Sequence, residues 1–353
     1  MLDKKYKVID LFCGIGGFSY GFEKTNDFEV VVGVDIWNTA LETFAVNHSN
    51  TKLINQDLTQ MDEKYWDEYK NKIDVIIAGP PCQGFSMSGQ RNIDDKRNSL
   101  FKEVVRITNI IQPKYVVVEN VVGLLSMSNA EGYDIKTLIK EEFNRIGYNV
   151  QYKVLNAADY GVPQQRRRVI FMISKDYPLT YPKEKYTIEN YVTVGDALGN
   201  IPISGNKYLA PKTQYQKLMS GKASIYNHEP IHHNELITKR MSCVPQGGNW
   251  QDIPLELGQG GGTHSNNYRR LDSKKPSITI KHATKSMLIH PFADRTPTVR
   301  EVARLQSFDD DFIIKGNKSD QHQQLANAVP PLLGMAIAQE ISKNLNNGGK
   351  INE

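Results

Sequence analysis

The stretch Lys7-Val8-Ile9-Asp10-Leu11-Phe12-Cys13-Gly14-Ile15-Gly16-Gly17 decides the fold of this 353-residue chain. Its apolar first half, Lys7–Phe12, predicts a buried β-strand, and the residues that follow predict the start of a helix over Phe18–Lys24. Glycines at such a strand-to-helix turn let the backbone approach a ligand and expose N–H groups at the helix start. A plain tight turn is the alternative, so the interpretation depends on the rest of the chain.

Downstream of this turn, short apolar runs alternate with helical patterns. Further strands are predicted over Glu29–Val34, Asp74–Ala78 and Tyr115–Val118. Further helices are predicted over Asn38–Asn47, Ser99–Ile111 and Ile135–Ile146. Tyr148–Leu155 and Arg168–Ile173 then form two strand patterns with no helix between them. The alternation predicts an α/β fold, with a parallel sheet covered on both faces and an antiparallel edge.

A second region begins near Tyr177, where this alternation breaks. From there to about His290 the chain is rich in Gly, Pro, Asn, Lys and Tyr, which predicts a second, irregular domain. Residues 181–290 hold 14 Lys and Arg against 8 Asp and Glu. That surplus suits a polyanion partner, although many basic faces are merely solvated. Periodicity returns at Thr298–Phe308 and in Leu325–Leu345, which reads as one long helical run.

Composition excludes several classes of protein. Three widely spaced cysteines, Cys13, Cys82 and Cys243, argue against a disulfide framework and against a CxxC metal site. No stretch approaches the roughly 18 apolar residues of a membrane helix, and the charged N-terminus gives no sign of a signal peptide. We therefore expect no metal site, no membrane contact and a reducing, cytoplasmic setting.

Two acidic residues follow strands at the same edge of the sheet as the Gly-rich turn. Asp35 ends the second strand, where a carboxylate can accept hydrogen bonds from ribose hydroxyls. Asp57 follows the third strand and can accept from an adenine amino group. Each acid singly is more often a helix cap or a surface charge. Together with the Gly-rich turn, the two acids favour an adenosine-containing cofactor. The GxGG spacing differs from the G-x-G-x-x-G fingerprint of dinucleotide sites.

A candidate nucleophile, Cys82, stands in Gly79-Pro80-Pro81-Cys82-Gln83, directly after the strand Asp74–Ala78. The prolines rigidify the backbone at the carboxyl end of the sheet, where ligand sites of open α/β folds lie. A thiolate placed there can act as a nucleophile. The alternative is a buried structural cysteine, which is the commoner fate of a lone Cys.

A carboxylate, Glu119, ends the next strand and would face the same crevice. Because a buried Glu almost always has a partner, a cation is expected beside it. Arg166 and Arg168 can supply that cation, since alternate residues of a strand share a face. A solvated basic run is the alternative for these arginines.

These residues fall in six ordered blocks over which the chain resembles the DNA cytosine-5 methyltransferases along nearly its full length. The blocks are Asp10–Phe22, Gly79–Ser86, Glu119–Val121, Gln164–Val169, Thr298–Phe308 and Gln324–Leu333. The resemblance implies an S-adenosylmethionine-dependent methyltransferase with a Rossmann-like sheet. Residues 1–177, completed by 297–353, would form the catalytic and cofactor-binding domain, and residues 178–296 the smaller target-recognition domain that binds DNA.

The resemblance also implies roles for single residues. Cys82 would attack carbon 6 of a cytosine flipped out of the duplex, Glu119 would hold its N3, and Arg166 and Arg168 would position the base. Carbon 5 would then take the methyl group of S-adenosylmethionine, with S-adenosylhomocysteine as the product. The implied cofactor contacts are Phe12, Gly14, Ile15, Gly16, Asp35, Ile36, Asp57, Leu58, Pro80, Leu100 and Asn327.

Double-stranded DNA would be contacted from two regions. The loop after Cys82 closes over DNA in such enzymes and here offers Gln83, Ser86 and Arg97. In the basic domain, side-chain type suggests contacts to base edges, because Arg and Lys suit guanine whereas Asn and Gln suit adenine. That set comprises Arg269, Arg270 and Lys281, together with Lys274, Lys285, Gln259 and Asn266.

The compact chain looks like a bacterial or phage modification enzyme of a restriction–modification system. It is expected to act as a monomer and to associate with the nucleoid during action, and a cognate restriction endonuclease of the same system is a candidate partner. Two departures from the family pattern lie outside the chemistry: Ala326 precedes Asn327 where the family has Gly, and Asp309 follows Phe308 where it has Pro. Ala326 implies that no positive φ is needed there.

Four other functions compete with this interpretation. A transfer RNA cytosine-5 methyltransferase carries the same motifs, but the length of the basic middle region favours DNA. An amino-group methyltransferase resembles Asp/Asn-Pro-Pro-Tyr/Phe at the strand end and has no thiol. A catalytically inactive DNA-binding homologue should have lost Cys82 or Glu119, and both are present. A nicotinamide dehydrogenase would leave the later blocks without a role.

Overall fold

The computed structural model describes residues 5–81, 100–128, 132–221, 225–258 and 266–348. The chain divides into two compact units. The first comprises residues 1–156, 167–183 and 333–353, and the second comprises residues 157–166 and 184–332. Among the described residues, no helix is both long enough and apolar enough to cross a membrane.

A seven-stranded sheet forms the centre of the first unit, in the order β3-β2-β1-β4-β5-β7-β6. The strands are β1 Tyr6–Leu11, β2 Phe28–Asp35, β3 Lys52–Asn55, β4 Val75–Ala78, β5 Tyr115–Val121, β6 Asn149–Asn156 and β7 Arg167–Ser174. Strands β1 to β5 pair in parallel, whereas β7 runs antiparallel to both β5 and β6. The predicted parallel sheet with an antiparallel edge is therefore confirmed.

The helices of the first unit cover a sheet that is buried on both faces, as all four residues of β4 show. They are α1 Gly17–Glu23, α2 Asn38–Asn47, α3 Lys64–Asp67, α4 Leu100–Ile111, α5 Ile135–Arg145 and most of α11 Pro331–Asn346. Apolar residues of α3, α4 and α5 join one core with alternate residues of the strands. Close packing of α11 on α1 needs Gly334, because a methyl group there would lie 3.2 Å from a ring carbon of Phe18.

Short helices and loops make up most of the second unit. Its helices are α6 Val194–Leu198, α7 Gln214–Met219, α8 Glu235–Ser242, α9 Val299–Leu305 and α10 Lys318–Asn327. The segment was predicted as irregular because α6 and α7 are too short to show a period. Their capping boxes, Thr193 with Asp196 and Thr213 with Gln216, are sequence signals that mark both helix starts.

Two expectations about the C-terminal third need correction. The run Leu325–Leu345 is two helices, because Ala328 is extended and Pro330 and Pro331 cannot continue a helix. The expected boundary after residue 296 lies inside the second unit, since α9 packs with both α6 and α10. The assignment of 178–296 to target recognition is a statement about function and stays a prediction.

Candidate active site at the carboxyl ends of the strands

The Gly-rich turn after β1 has an unusual backbone. Phe12, Gly14 and Gly16 all have positive φ, at 62°, 52° and 81°. For a bulky residue such as Phe this is a strained conformation of the kind that accumulates at ligand sites. A methyl group on Gly14 would have no atom of the described residues within 4 Å. The turn therefore leaves room for a ligand beside its backbone.

Glycine is required at position 16 for a different reason: this residue packs against Phe44 of α2 and against His48, which follows α2. A methyl group there would lie 2.7 Å from a ring carbon of Phe44 and would overlap His48 Nε2. His48 is itself fixed by a 2.6 Å contact between its Nδ1 and the Glu23 carboxylate. The side chains of Phe44 and His48 thus pack against the turn at Gly16.

Asp35 connects β2 to the same turn. Its Oδ2 accepts a hydrogen bond from the Gly14 N–H at 2.8 Å, and its Oδ1 accepts from the Trp37 N–H at 2.8 Å. Burial raises the pKa of this carboxyl above its usual value. The next residue, Ile36, is 70% exposed, an apolar surface beside a polar group. This combination suits the ring and the hydroxyls of a nucleoside.

Asp57 lies two residues after the end of β3 and caps the 3-10 turn Leu58–Gln60. Its Oδ1 accepts from both the N–H and the hydroxyl of Thr59 at 2.9 Å. Its Oδ2 makes no hydrogen bond to any described residue. The next residue, Leu58, is buried in the core. The donors and acceptors at these strand ends fit an adenosine-containing cofactor.

The segment that leads to Cys82 is held by β5. Pro80 is buried, and its carbonyl oxygen accepts a hydrogen bond from Asn120 Nδ2 at 3.2 Å. A methyl group on Gly79 would lie 4.0 Å from Glu119 Oε2. The carboxylate is therefore adjacent to the chain just before the predicted nucleophile. Asn120 was quoted in the sequence motif without a role, and its amide-to-carbonyl contact is the role that sequence reasoning missed.

Glu119 forms an ion pair with Arg168, whose Nε lies 2.9 Å from Glu119 Oε1. The strand register explains the contact, because Glu119 of β5 is opposite Ile170 of β7 and Arg168 shares the face of Ile170. Both side chains are largely buried. The predicted pairing of this carboxylate with an arginine of the Gln-x-Arg-x-Arg block is thus confirmed for Arg168.

Several predicted site residues lie outside the described residues, namely Cys82, Gln83, Ser86, Arg97 and Gln259. Leu100 is the first residue of α4 and is partly exposed.

Arg166 and Asn327 belong to the second unit. Arg166 is buried and donates a hydrogen bond to the Ala326 carbonyl oxygen at 3.0 Å. Ala326 has helical backbone within α10 and no positive φ, which explains why Gly is not needed there. Asn327 is exposed at the end of the same helix, where its Oδ1 accepts from Gln323 at 3.0 Å.

Arg270 does not suit the predicted contact with DNA bases, which is a correction to the predicted set. Its guanidinium is buried and donates to the carbonyl oxygens of Val244, Met241, His290 and Ala293, and it also contacts Asp294. Its neighbour Arg269 is partly exposed and makes no hydrogen bond or ion pair through its side chain within the described residues. Lys281 is exposed as well.

Asp10 is a second residue whose role was not foreseen. It is buried beneath the Gly-rich turn and accepts a hydrogen bond from Ser19 Oγ at 2.5 Å. Burial raises the pKa of Asp10 to about 8. A polar residue inside the apolar run of β1 was the available signal, because a buried acid requires a partner. The contact links β1 to α1 on either side of the turn.

Comparisons with known proteins agree with this geometry. The family model described as C-5 cytosine-specific DNA methylase matches residues 6–343. The Type II methyltransferase M1.HphI of Haemophilus parahaemolyticus is 42% identical over 342 residues, which cover 95% of this chain and 86% of that protein. M.DdeI of Desulfomicrobium norvegicum is 36% identical over 378 residues, with 98% and 91% covered.

Among solved structures, a candidate DNA modification methyltransferase encoded within a prophage of E. coli is similar along the whole chain. It superposes with a TM-score of 0.78 at 26% identity, covering 97% of this chain and 100% of that chain. Fold, site geometry and family match point to one conclusion. The chain belongs to the family of C-5 cytosine-specific DNA methylases.

Proposed function

We propose that this protein is the modification methyltransferase of a restriction–modification system, which methylates carbon 5 of one cytosine within a short duplex sequence. The observation that carries the site assignment is the Glu119–Arg168 ion pair beside Gly79, three residues before Cys82. Relatives named Type II methyltransferases match along nearly the whole chain and support the biological setting.

S-adenosylmethionine supplies the methyl group when it is bound. The residues that would hold it surround the turn after β1: the backbone at Phe12–Gly16, the Asp35 carboxylate and the exposed side chain of Ile36. Asp57 would accept from the adenine amino group through Oδ2. Pro80, Leu58, Leu100 and Asn327 complete the proposed set.

Cys82 would form a bond from Sγ to carbon 6 of the cytosine, which shifts electron density to carbon 5. Carbon 5 then bonds to the methyl group and loses its proton to a base. The electrons of that C–H bond restore the double bond between carbons 5 and 6, and Cys82 leaves as a thiolate. The target must leave the duplex stack, since the thiol attacks the face of the ring.

Glu119 would act on the other side of the ring, where it holds N3 and favours its protonation. Negative charge that would otherwise build up on the ring is then neutralised at N3. Arg168 fixes one oxygen of this carboxylate and so sets its orientation. Arg166, buried against the Ala326 carbonyl, would help position the base.

Recognition of duplex DNA is assigned to residues 178–296. The candidates whose side chains are at least partly exposed are Arg269, Lys281, Lys274, Lys285 and Asn266. Gln83, Ser86 and Arg97 would contact DNA from the segment after Cys82. A cognate endonuclease that cleaves the same unmethylated sequence would be the partner in the system. A monomer suffices, because one target-recognition region serves one site.

Covalent trapping tests this proposal. Duplex DNA that carries 5-fluorocytosine should form an adduct stable to denaturation, because fluorine at carbon 5 cannot leave as the proton does. Cys82→Ala should abolish the adduct and methyl transfer while it leaves duplex binding intact. An equal yield of adduct from Cys82→Ala would show that another residue is the nucleophile.

A further inference from the structure

The 3-10 turn Leu58–Gln60, which Asp57 caps, is contacted by a side chain of α4. The Leu58 carbonyl oxygen accepts a hydrogen bond from Arg106 Nη2 at 3.0 Å. The same oxygen accepts the Met61 N–H at 3.3 Å, so Arg106 adds a second, side-chain contact that restricts the orientation of the turn. The direction of the Asp57 carboxylate depends on that orientation, because Asp57 caps the turn.

Arg106 is itself held by acidic residues. Its Nε donates to Glu103 Oε2 at 2.9 Å and its Nη2 lies 2.8 Å from the same oxygen, while Glu63 Oε1 lies 3.9 Å from Nη1. Three-quarters of the Arg106 side chain is shielded from solvent. A planar guanidinium held in this way presents the Nη2 donor in one direction.

The two carboxylate oxygens of Asp57 differ in their hydrogen bonds. Oδ1 is used by the N–H and hydroxyl of Thr59. Oδ2 has no hydrogen-bond partner among the described residues and is the atom available to an adenine amino group. A hydrogen bond to that group requires a carboxylate placed to within a few tenths of an ångström.

We propose that Arg106 is a positioning residue for adenine recognition, acting through the Leu58 carbonyl to aim Asp57 Oδ2 at the amino group of the cofactor. This inference rests on the proposed function, which assigns the cofactor to these strand ends. Arg106 contacts Glu103 and the Leu58 carbonyl and makes no contact with the Asp57 carboxylate, so its role would be indirect. Its loss therefore alters which base the cofactor site prefers and leaves the steps at cytosine unchanged.

Two ligands separate this role from a general effect on stability. S-adenosylhomocysteine carries the adenine amino group, whereas S-inosylhomocysteine carries a carbonyl oxygen at position 6, which cannot donate to Asp57. The full chain binds each ligand in a calorimeter, and the ratio of the two Kd values measures the preference for adenine. A variant that merely loosens the fold weakens both ligands equally.

Arg106→Met should raise the Kd for S-adenosylhomocysteine about tenfold, with the Kd for the inosine analogue within about twofold of wild type. Glu103→Gln should move the preference in the same direction by less, because it loosens Arg106 without removing it. The matched control is Arg145→Met. Arg145 forms the same i,i+3 pair with Glu142 at 2.8 Å on α5, is mostly exposed, and should leave both Kd values unchanged.

Asp57→Asn distinguishes failure of this inference from failure of the cofactor assignment. If Asp57→Asn removes the preference for adenine while Arg106→Met retains it, the positioning role is overturned and the cofactor site stands. If Asp57→Asn leaves the preference untouched, the adenine role of Asp57 is wrong and the inference falls with it. If Arg106→Met weakens both ligands equally, Arg106 is only a structural residue.

Discussion

At the scale of single residues, the chemistry depends on how Glu119 is held. A carboxylate at the end of a buried strand needs a cation, and this requirement predicts an arginine partner from sequence alone. The choice between Arg166 and Arg168 was not predictable, because it depends on the register of β5 against β7. That register places Arg168 beside Glu119, whereas Arg166 precedes β7 and donates to Ala326.

Glu119→Gln should reduce kcat about 100- to 1000-fold, because an amide cannot supply the proton that cytosine N3 requires. Single-turnover methylation, with enzyme in excess over DNA, measures the methyl-transfer step directly. The Kd for DNA should stay within about threefold of wild type. Glu141→Gln, an exposed position on α5, is the control. A kcat within twofold of wild type for Glu119→Gln would contradict the role in catalysis.

His322 should make the second unit sensitive to acid. It is buried in α10, and burial, His282 and Lys318 lower its pKa to about 4. His282, whose ring centroid lies 5.7 Å away and which also faces Lys285, has a lowered pKa too. Because the folded pKa of His322 lies below the unfolded value of about 6.5, the unfolded chain binds more protons between these values.

The stabilisation from neutral His322 is thus fully present above about pH 6.5 and is lost as pH falls towards 4, by at most about 3 kcal/mol. Urea unfolding at pH 7.5 and pH 5 measures the change, and His322→Asn should reduce its dependence on pH. His232→Asn, at an exposed histidine, should leave that dependence unaltered. Equal pH dependence in wild type and His322→Asn would refute the assignment.

At the scale of elements, the apolar strands of the parallel sheet were predictable because strands that are buried on both faces have nearly continuous hydrophobic runs. Helices α6 and α7, of five and six residues, were not, since fewer than two turns show no period. The division of the C-terminal run into α10 and α11 follows from Pro330 and Pro331, which outweigh the apolar period on either side.

Gly16→Ala tests how much the packing of the turn between β1 and α1 against Phe44 and His48 contributes to the free energy of unfolding. The change adds a methyl group against Phe44 and His48 at a φ of 81°, and it should cost roughly 2–4 kcal/mol of unfolding free energy. Gly132→Ala is the matched control, because Gly132 has a φ of 87° with no described atom within 4 Å of the added methyl. It should cost only about 1 kcal/mol.

Denaturant unfolding compares the two variants, and calorimetry with S-adenosylhomocysteine reports on the site. Cofactor binding should weaken in Gly16→Ala and remain normal in Gly132→Ala. Equal losses of stability in both variants would mean that backbone strain alone, without packing against Phe44 and His48, determines the need for glycine at position 16.

At the scale of the whole molecule, charge was a poor guide to individual DNA contacts. The basic surplus of the second region counts Arg270, which the structure places inside the unit with carbonyl oxygens around its guanidinium. Side-chain type cannot distinguish such a buried arginine from an exposed one such as Arg269. The family and the fold class, in contrast, were predictable because ordered motifs extend along the chain and the family model matches residues 6–343.

The most direct test of the account is methyl transfer from labelled S-adenosylmethionine to unmethylated plasmid DNA, with unmodified transfer RNA in a parallel reaction. The modified base is identified by mass spectrometry, and its flanking sequence is read. We expect 5-methylcytosine at one short motif in the DNA, no label in the RNA, and no label in either with Cys82→Ala. Label in the RNA alone, or a methyl group on the exocyclic nitrogen of cytosine, would contradict the central claim.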